Sequence, residues 1–204
     1  MKDLRGLYGA VPLAHFFLQE RLTAGALVVD ATCGNGQDTL LLAELVGAAG
    51  RVWAFDIQEA ALAKTGARLA AAGLESRVVM VHAGHERLAE FVTEPLQAVT
   101  FNLGYLPTGD REIKTAAATT VTALQQAAAL LKPGGFILIA VYTGHAGGEE
   151  EWEAVRRWCA ALPPHDVNVW QARQLNRSAA APFLVVIEKI TGAVSPQPAN
   201  ELLP

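Results

Sequence analysis

The chain has 204 residues, 51% of them hydrophobic and 18% charged, and a formal net charge of -4. That balance predicts one globular domain with a substantial core, excludes a disordered chain, and argues against a protein that coats nucleic acid non-specifically while leaving room for a local basic patch that meets RNA. Two cysteines, Cys33 and Cys159, give neither a disulfide framework nor a zinc spacing, no apolar run approaches the ~18–20 residues that span a bilayer, and no signal-peptide pattern opens the chain, so a cytoplasmic protein with no membrane partner and no metal is expected.

In chain order, residues 12–22 carry an apolar stripe of Leu13, Phe16, Phe17 and Leu22 at helical spacing, with Pro12 suited to a first turn. His15 reads as a residue of that helix's surface. Residues 26–29 are four consecutive apolar residues, which suits a strand covered on both faces, and Asp30 ends it. Gly34 and Gly36 permit a sharp turn and close approach to a ligand, and Asp38 and Thr39 lead into the helical run 40–45. Residues 50–56 form a second strand ending in Asp56, and 58–72 form a helix stopped by Gly73. A third strand (77–82), a short helix (84–91), a fourth strand (97–103) and a long helix (115–131) follow. A turn at 132–135 then leads to a fifth strand (136–142), a helix (149–162) and two late strands (166–172 and 183–190).

Alternating strands and helices predict an α/β fold. Its expected form is a Rossmann-like seven-stranded, mostly parallel sheet with helices on both faces and one antiparallel strand near the C-terminus. The domain spans 1–192, and the proline-bearing residues 193–204 read as a frayed tail.

A strand that feeds a helix through glycines places a ligand at the strand's carboxyl end. The spacing Gly34-x-Gly36-x-x-Thr39 lacks the third glycine of a dinucleotide fingerprint and the Lys-Ser/Thr pair of a P-loop. Asp30 and Asp38 put negative charge beside the turn, which repels a pyrophosphate and suits an ammonium and a sulfonium. Asp56, 20 residues beyond Gly36, can accept both hydroxyls of a ribose, with Ile57 and Gln58 flanking an adenine. An adenosine with a cationic tail and no phosphates describes S-adenosylmethionine, whose demethylated product is S-adenosylhomocysteine. Asp30 alone could instead serve as a helix N-cap or a turn carboxylate; the pair with Asp56 at successive strand ends favours the ligand reading. The fourth strand ends in Asn102-Leu103-Gly104-Tyr105. This resembles the Asn/Asp-Pro-Pro-Tyr/Phe segment that many amine methyltransferases carry there, with Leu103-Gly104 in place of the prolines. In that segment the Asn oxygen accepts from the amine and the ring stacks on the target, whereas a purely structural reading makes Asn102 a turn residue and Tyr105 a core aromatic. Cys33, at a helix N-terminus where a thiol pKa is lowered, has no partner motif for ring-carbon methylation and reads as a small packing residue.

Four segments together resemble the YtqB-type family known as putative rRNA methylases. They are Asp30-Ala31-Thr32-Cys33-Gly34-Asn35-Gly36-Gln37-Asp38-Thr39, Phe55-Asp56-Ile57-Gln58, Phe101-Asn102-Leu103-Gly104-Tyr105-Leu106-Pro107, and Tyr142-x-Gly144-His145-x-Gly147-Gly148-x-Glu150. The resemblance runs in order over nearly the whole chain. It implies a Rossmann-like methyltransferase. Members identified as MnmM methylate the 5-aminomethyl group of a wobble uridine in tRNA, often 2-thiolated. The implied partner is therefore a tRNA anticodon stem-loop rather than DNA; a homodimer is compatible with so small an enzyme. One departure is Thr108, where the family has glycine.

The candidate cofactor contacts are Asp30, Cys33, Gly34, Asn35, Gly36, Asp38, Thr39, Asp56, Ile57, Gln58, His85, Asn102 and Gly104. His85 takes the place after the third strand where many methyltransferases meet the adenine edge. The candidate catalytic residues are Asn102, Tyr105 and Asp110, and the substrate contacts Tyr105, Leu106, Pro107, Asp110, Tyr142 and His145. Asp110 is expected to orient the amine, which must lose a proton before it attacks; as a helix cap it would have a purely structural role. Arg111, Lys114, Arg156, Arg157, Arg173 and Arg177 are candidates for a basic rim. Three other readings compete: a methyltransferase for another RNA base or a small amine, a non-catalytic RNA- or cofactor-binding module, and a nicotinamide oxidoreductase. The missing third glycine and acidic loop count against the last.

Overall fold

The computed structural model describes residues 8–104 and 114–190. Within them seven strands form one sheet: β1 (Leu27–Asp30), β2 (Arg51–Asp56), β3 (Val78–His82), β4 (Leu96–Leu103), β5 (Leu131–Val141), β6 (Val167–Ala172) and β7 (Phe183–Lys189), in the order β3-β2-β1-β4-β5-β7-β6. Neighbours from β3 to β5 pair in parallel, and β7 runs antiparallel to both β5 and β6. The expected Rossmann-like sheet with one antiparallel strand is the architecture observed. The chain order reverses between β1 and β4, and the crevice outside their carboxyl ends is where open α/β sheets bind ligands.

The helices are α1 (Ala10–Arg21), α2 (Gln37–Val46), α3 (Glu59–Ala72), α4 (Leu88–Phe91), α5 (Ala117–Leu130) and α6 (Gly148–Ala160). Strand side chains alternate between faces, so consecutive valines of β1 serve different cores. Val28 packs with α1, α2 and α3 through Leu18, Leu42 and Leu69. Val29 packs with α4, α5 and α6 through Leu88, Leu124 and Val155. Gly73, at φ 66°, ends α3 as expected, with its own N–H and that of Leu74 closing on Ala70 O and Leu69 O.

Three expectations need correction. The inner face of α1 is Ala10, Ala14 and Leu18, one turn apart, while Phe16 is exposed and Leu13, Phe17 and Leu22 only flank the core. The small Ala10 and Ala14 let α1 lie close to the sheet, and Leu18 is fully buried beside them. The stretch 132–135 is an irregular part of β5: Leu131 pairs with Leu96, and the register shifts before Phe136 pairs with Ala98. The short helix after β3 is a 3-10 turn (His85–Arg87) followed by α4.

Candidate active site

The carboxyl ends of β1, β2, β4 and β5 surround a cavity of about 700 Å³. Cys33, Gly34, Asn35, Asp38, Asp56, Ile57, Gln58, His85, Asn102, Gly104, Tyr142 and His145 all line it. Residues predicted from four separated segments therefore meet in one place. Tyr105, Leu106, Pro107 and Asp110 lie outside the described residues, as do Arg111 and the tail 193–204.

Asp30, Gly36 and Thr39 do not line this cavity. They build the loop instead. Asp30 is fully buried; it accepts from Thr39 Oγ1 at 2.6 Å and from the Thr32 N–H at 3.3 Å. Burial, then the nearby charge of Asp38, pushes the Asp30 carboxyl up to about 7 against those two hydrogen bonds. A Cβ on Gly36, at φ 76°, would lie 2.7–3.0 Å from Thr65 Oγ1, Cγ2 and Cα. The glycine thus permits the turn's close approach to α3, where Thr65 Oγ1 donates to Gly34 O at 3.0 Å.

Asp56 closes the other side of the turn. Its carboxylate accepts from the Gly34 N–H at 2.9 Å and the Gln58 N–H at 2.8 Å. One bond per oxygen leaves lone pairs for a diol. Beside it Ile57 is 53% exposed, an apolar surface next to the carboxylate. His85 is 8% exposed, and its Nδ1 lies 3.3 Å from Ala31 O. A carbonyl only accepts, so Nδ1 carries the proton and Nε2 is an acceptor. Nε2 is buried with no partner among the described residues. Burial holds the ring below the usual histidine range, so it is neutral near pH 7.

The centre of the site is a chain of three side chains from α1, α2 and β4. His15 Nε2 lies 2.6 Å from Asp38 Oδ1, and Asn102 Nδ2 donates to Asp38 Oδ2 at 2.7 Å. Burial alone would raise the Asp38 pKa; the hydrogen bonds of His15 and Asn102 and the charge on His15 overcome it and hold it below the ordinary value. Of the two loop carboxylates, Asp38 is therefore fully ionised near pH 7, whereas Asp30 is in mid-titration there. An ionised carboxylate only accepts. His15 must present N–H to it, and Asn102 must turn its NH₂ toward it. The Asn102 oxygen then faces away from Asp38 as an acceptor with no partner among the described residues. The Asn102 backbone N–H donates to Thr32 Oγ1 at 2.7 Å, so the residue is held at both ends. His15 does not itself line the cavity, but it is tied to the cavity-lining Asp38 rather than being a plain surface histidine.

The cysteine expectation divides. Burial, then the charges of Asp30 and Asp56, drives the Cys33 thiol far up, the opposite of the lowering expected at a helix N-terminus. Its packing role stands, because a protonated buried thiol is a poor nucleophile. Tyr142 is likewise raised, by burial and by Asp38.

Glu151 gave no signal in the sequence. It is 2% exposed and accepts from Thr115 Oγ1 at 2.8 Å and Thr120 Oγ1 at 2.6 Å. Thr115 also exchanges two bonds with Gly104, N–H to O and Oγ1 from N–H, both 2.9 Å. Glu151 thereby ties α6 to the end of β4, while Glu150 of the quoted motif is exposed. The basic rim also sorts itself: Arg156 pairs with Glu153 at 2.8 Å, and Arg173 covers the Phe183 ring at 3.7 Å and donates to Ala179 O. Lys114 lines the cavity.

Comparison with known proteins adds four findings. The family model described as "Putative rRNA methylase" matches residues 52–188. A curated Arabidopsis thaliana protein, tRNA (mnm(5)s(2)U34)-methyltransferase, chloroplastic, is 40% identical over 196 residues, covering 91% of this chain and 71% of the relative. The structure of a "putative rRNA-methylase" from Clostridium thermocellum is 40% identical, covers 91% of this chain and 100% of its own, and superposes with a TM-score of 0.88. A "putative methyltransferase" from Streptococcus mutans, in complex with SAH, is 37% identical with a TM-score of 0.82, covering 91% and 100%.

Proposed function

Because the chain belongs to the family described as "Putative rRNA methylase", we propose that it transfers a methyl group from S-adenosylmethionine to the exocyclic amine of 5-aminomethyl-(2-thio)uridine at the tRNA wobble position. The product is 5-methylaminomethyl-(2-thio)uridine. The observation that carries this reading is the Asp38-oriented amide of Asn102 at the floor of the cavity. The name of the Arabidopsis relative supports the choice of tRNA base, and the SAH complex of the Streptococcus mutans protein supports the cofactor.

The residues present fit that cofactor. Asp56 offers lone pairs to a ribose diol and Ile57 an apolar surface to a purine. The orphaned His85 Nε2 accepts from an amino N–H, as the adenine edge provides. The ionised Asp38 provides the negative charge for a cationic tail. When bound, the cofactor supplies a methyl group on a positively charged sulfur.

The chain's own part is positioning. Methyl transfer is an in-line displacement, and holding two reactants in line contributes more than any acid or base. The Asn102 oxygen accepts one N–H of the amine and so directs its lone pair. Tyr142 walls the same space and contributes a ring face on which an unstacked base can lie. Methylation of an amine calls for no thiol nucleophile, and burial disfavours ionisation of the Cys33 thiol. Asp110 is the further group expected to hold the amine.

Nucleoside mass spectrometry of tRNA from cells lacking the gene tests the reading. Loss of 5-methylaminomethyl-uridine with accumulation of 5-aminomethyl-uridine supports it. Unchanged levels, with no second enzyme supplying them, would remove it. Loss of a methyl mark from ribosomal RNA instead would favour the other RNA substrate.

A further inference from the structure

Val11, Tyr142 and Pro182 line the main cavity and also a second one of about 340 Å³. The second is walled by the start of α1, by Tyr142 at the end of β5, and by Gln174, Arg177 and Ala181 of the β6–β7 connection. It adjoins the proposed target site through the Tyr142 ring.

Its chemistry differs from that of its neighbour. Among the described residues no Asp or Glu lines it, although the chain carries a net charge of -4. Tyr8 is 79% exposed and Tyr142 36% exposed. The Arg177 guanidinium is exposed and has no hydrogen-bond or ion-pair partner among the described residues, whereas Arg156 and Arg173 are engaged. The wall bearing Arg177 is structured: the Ala181 N–H bonds to Ser178 O at 3.0 Å, and Arg173 ties the same connection to Ala179 O at 3.0 Å. An unpaired guanidinium recognises phosphate. Exposed aromatic rings hold unstacked bases without demanding a sequence.

We propose that this second cavity is a subsite for a nucleotide adjoining the target nucleotide in the RNA chain. Tyr8 stacks on its base, Arg177 meets its phosphate, and the Gln174 amide lies within the same walls to meet its edge. Tyr142 separates the two bases and contacts both. The inference rests on the reading of the main cavity as an RNA-methylating site, and it says why a polynucleotide rather than a free nucleoside is the substrate.

The test is steady-state methylation of an anticodon stem-loop carrying 5-aminomethyl-uridine by the parent protein, Tyr8→Ala and Arg177→Gln, over a range of salt. Both variants are at solvent-exposed positions, so folding is preserved, and S-adenosylmethionine affinity by calorimetry checks it. Tyr8→Ala should raise KM for the stem-loop about tenfold. Arg177→Gln should raise it too and should lower the salt slope of log KM by about one phosphate's share. A neutral methylphosphonate beside the target should cause the same loss in the parent and little further loss in Arg177→Gln. An active parent whose two variants keep its KM and salt slope overturns the subsite alone. A parent inactive on every RNA overturns the functional reading, and the subsite falls with it.

Discussion

Asn102 Nδ2 donates to Asp38 Oδ2 at 2.7 Å, joining the end of β4 to the first turn of α2 across 64 residues of chain. The bond fixes which way the amide faces, because an ionised carboxylate cannot donate. The Asn102 oxygen is the resulting acceptor. Asn102→Ala should lower kcat about 100-fold, the scale expected when a reacting group is no longer held in line. Cofactor affinity, measured by calorimetry, should stay near the parent value because Asp56 and His85 remain. Full activity in Asn102→Ala would contradict the amine-orienting role.

His15 reaches the same amide through Asp38. Removing it deprives a largely buried carboxylate of one charge-assisted hydrogen bond, worth about 1.5–3 kcal/mol. His15→Ala should therefore lower kcat roughly tenfold or more, and His15→Gln, which keeps an N–H donor, should restore much of it. In an Asp38→Asn background the obligatory acceptor is gone, so His15→Ala should have a much smaller effect. Additive losses would show that His15 serves only the packing of α1.

Asp30 makes a prediction about pH. Its folded-state pKa of about 7 lies above its ordinary value of 3.8. The folded state thus holds its proton over a range in which the unfolded chain has lost it. The stability this group contributes is fully present below about pH 4 and is lost as pH rises toward about 7, at about 1.4 kcal/mol per pH unit. Urea denaturation of the cofactor-free protein should show the stability of the parent relative to Asp30→Asn falling across that range and levelling above it. A difference independent of pH would mean that Asp30 is ionised throughout.

Cys33 lines the cavity at 4% exposure, with its thiol held protonated. Cys33→Ala should keep turnover close to that of the parent, and the native protein should react slowly with iodoacetamide at this position. Abolished turnover with intact folding would point to covalent chemistry at a pyrimidine ring carbon.

Much of this site is local enough to read along the chain. The apolar run before Asp30, the glycines at 34 and 36, and Asp56 at the next strand end are each defined by their immediate neighbours, and the structure places them around one turn. What escaped depends on distance. Nothing near His15 marks it as different from any helix histidine; its partner lies 23 residues away. Glu151 differs from Glu150 by one step of about 100° round a helix, and only the position of Thr115 and Thr120 decides which is buried. The inner face of α1 was hidden for a similar reason. Ala10, Ala14 and Leu18 share the face that meets the core, and Phe16, about 200° round the helix from Ala14, lies on the other. Asp30 and Asp38 look equivalent in sequence, yet burial and partners push their titrations in opposite directions, Asp30 up and Asp38 down.

The most direct test is reconstitution with purified protein, S-adenosylmethionine and tRNA bearing 5-aminomethyl-uridine at the wobble position, followed by nucleoside mass spectrometry. The account predicts conversion to 5-methylaminomethyl-uridine, dependent on Asn102 and absent from tRNA whose wobble uridine lacks the aminomethyl group. A methyl group found on a ring carbon, a ribose oxygen or another nucleoside would contradict it.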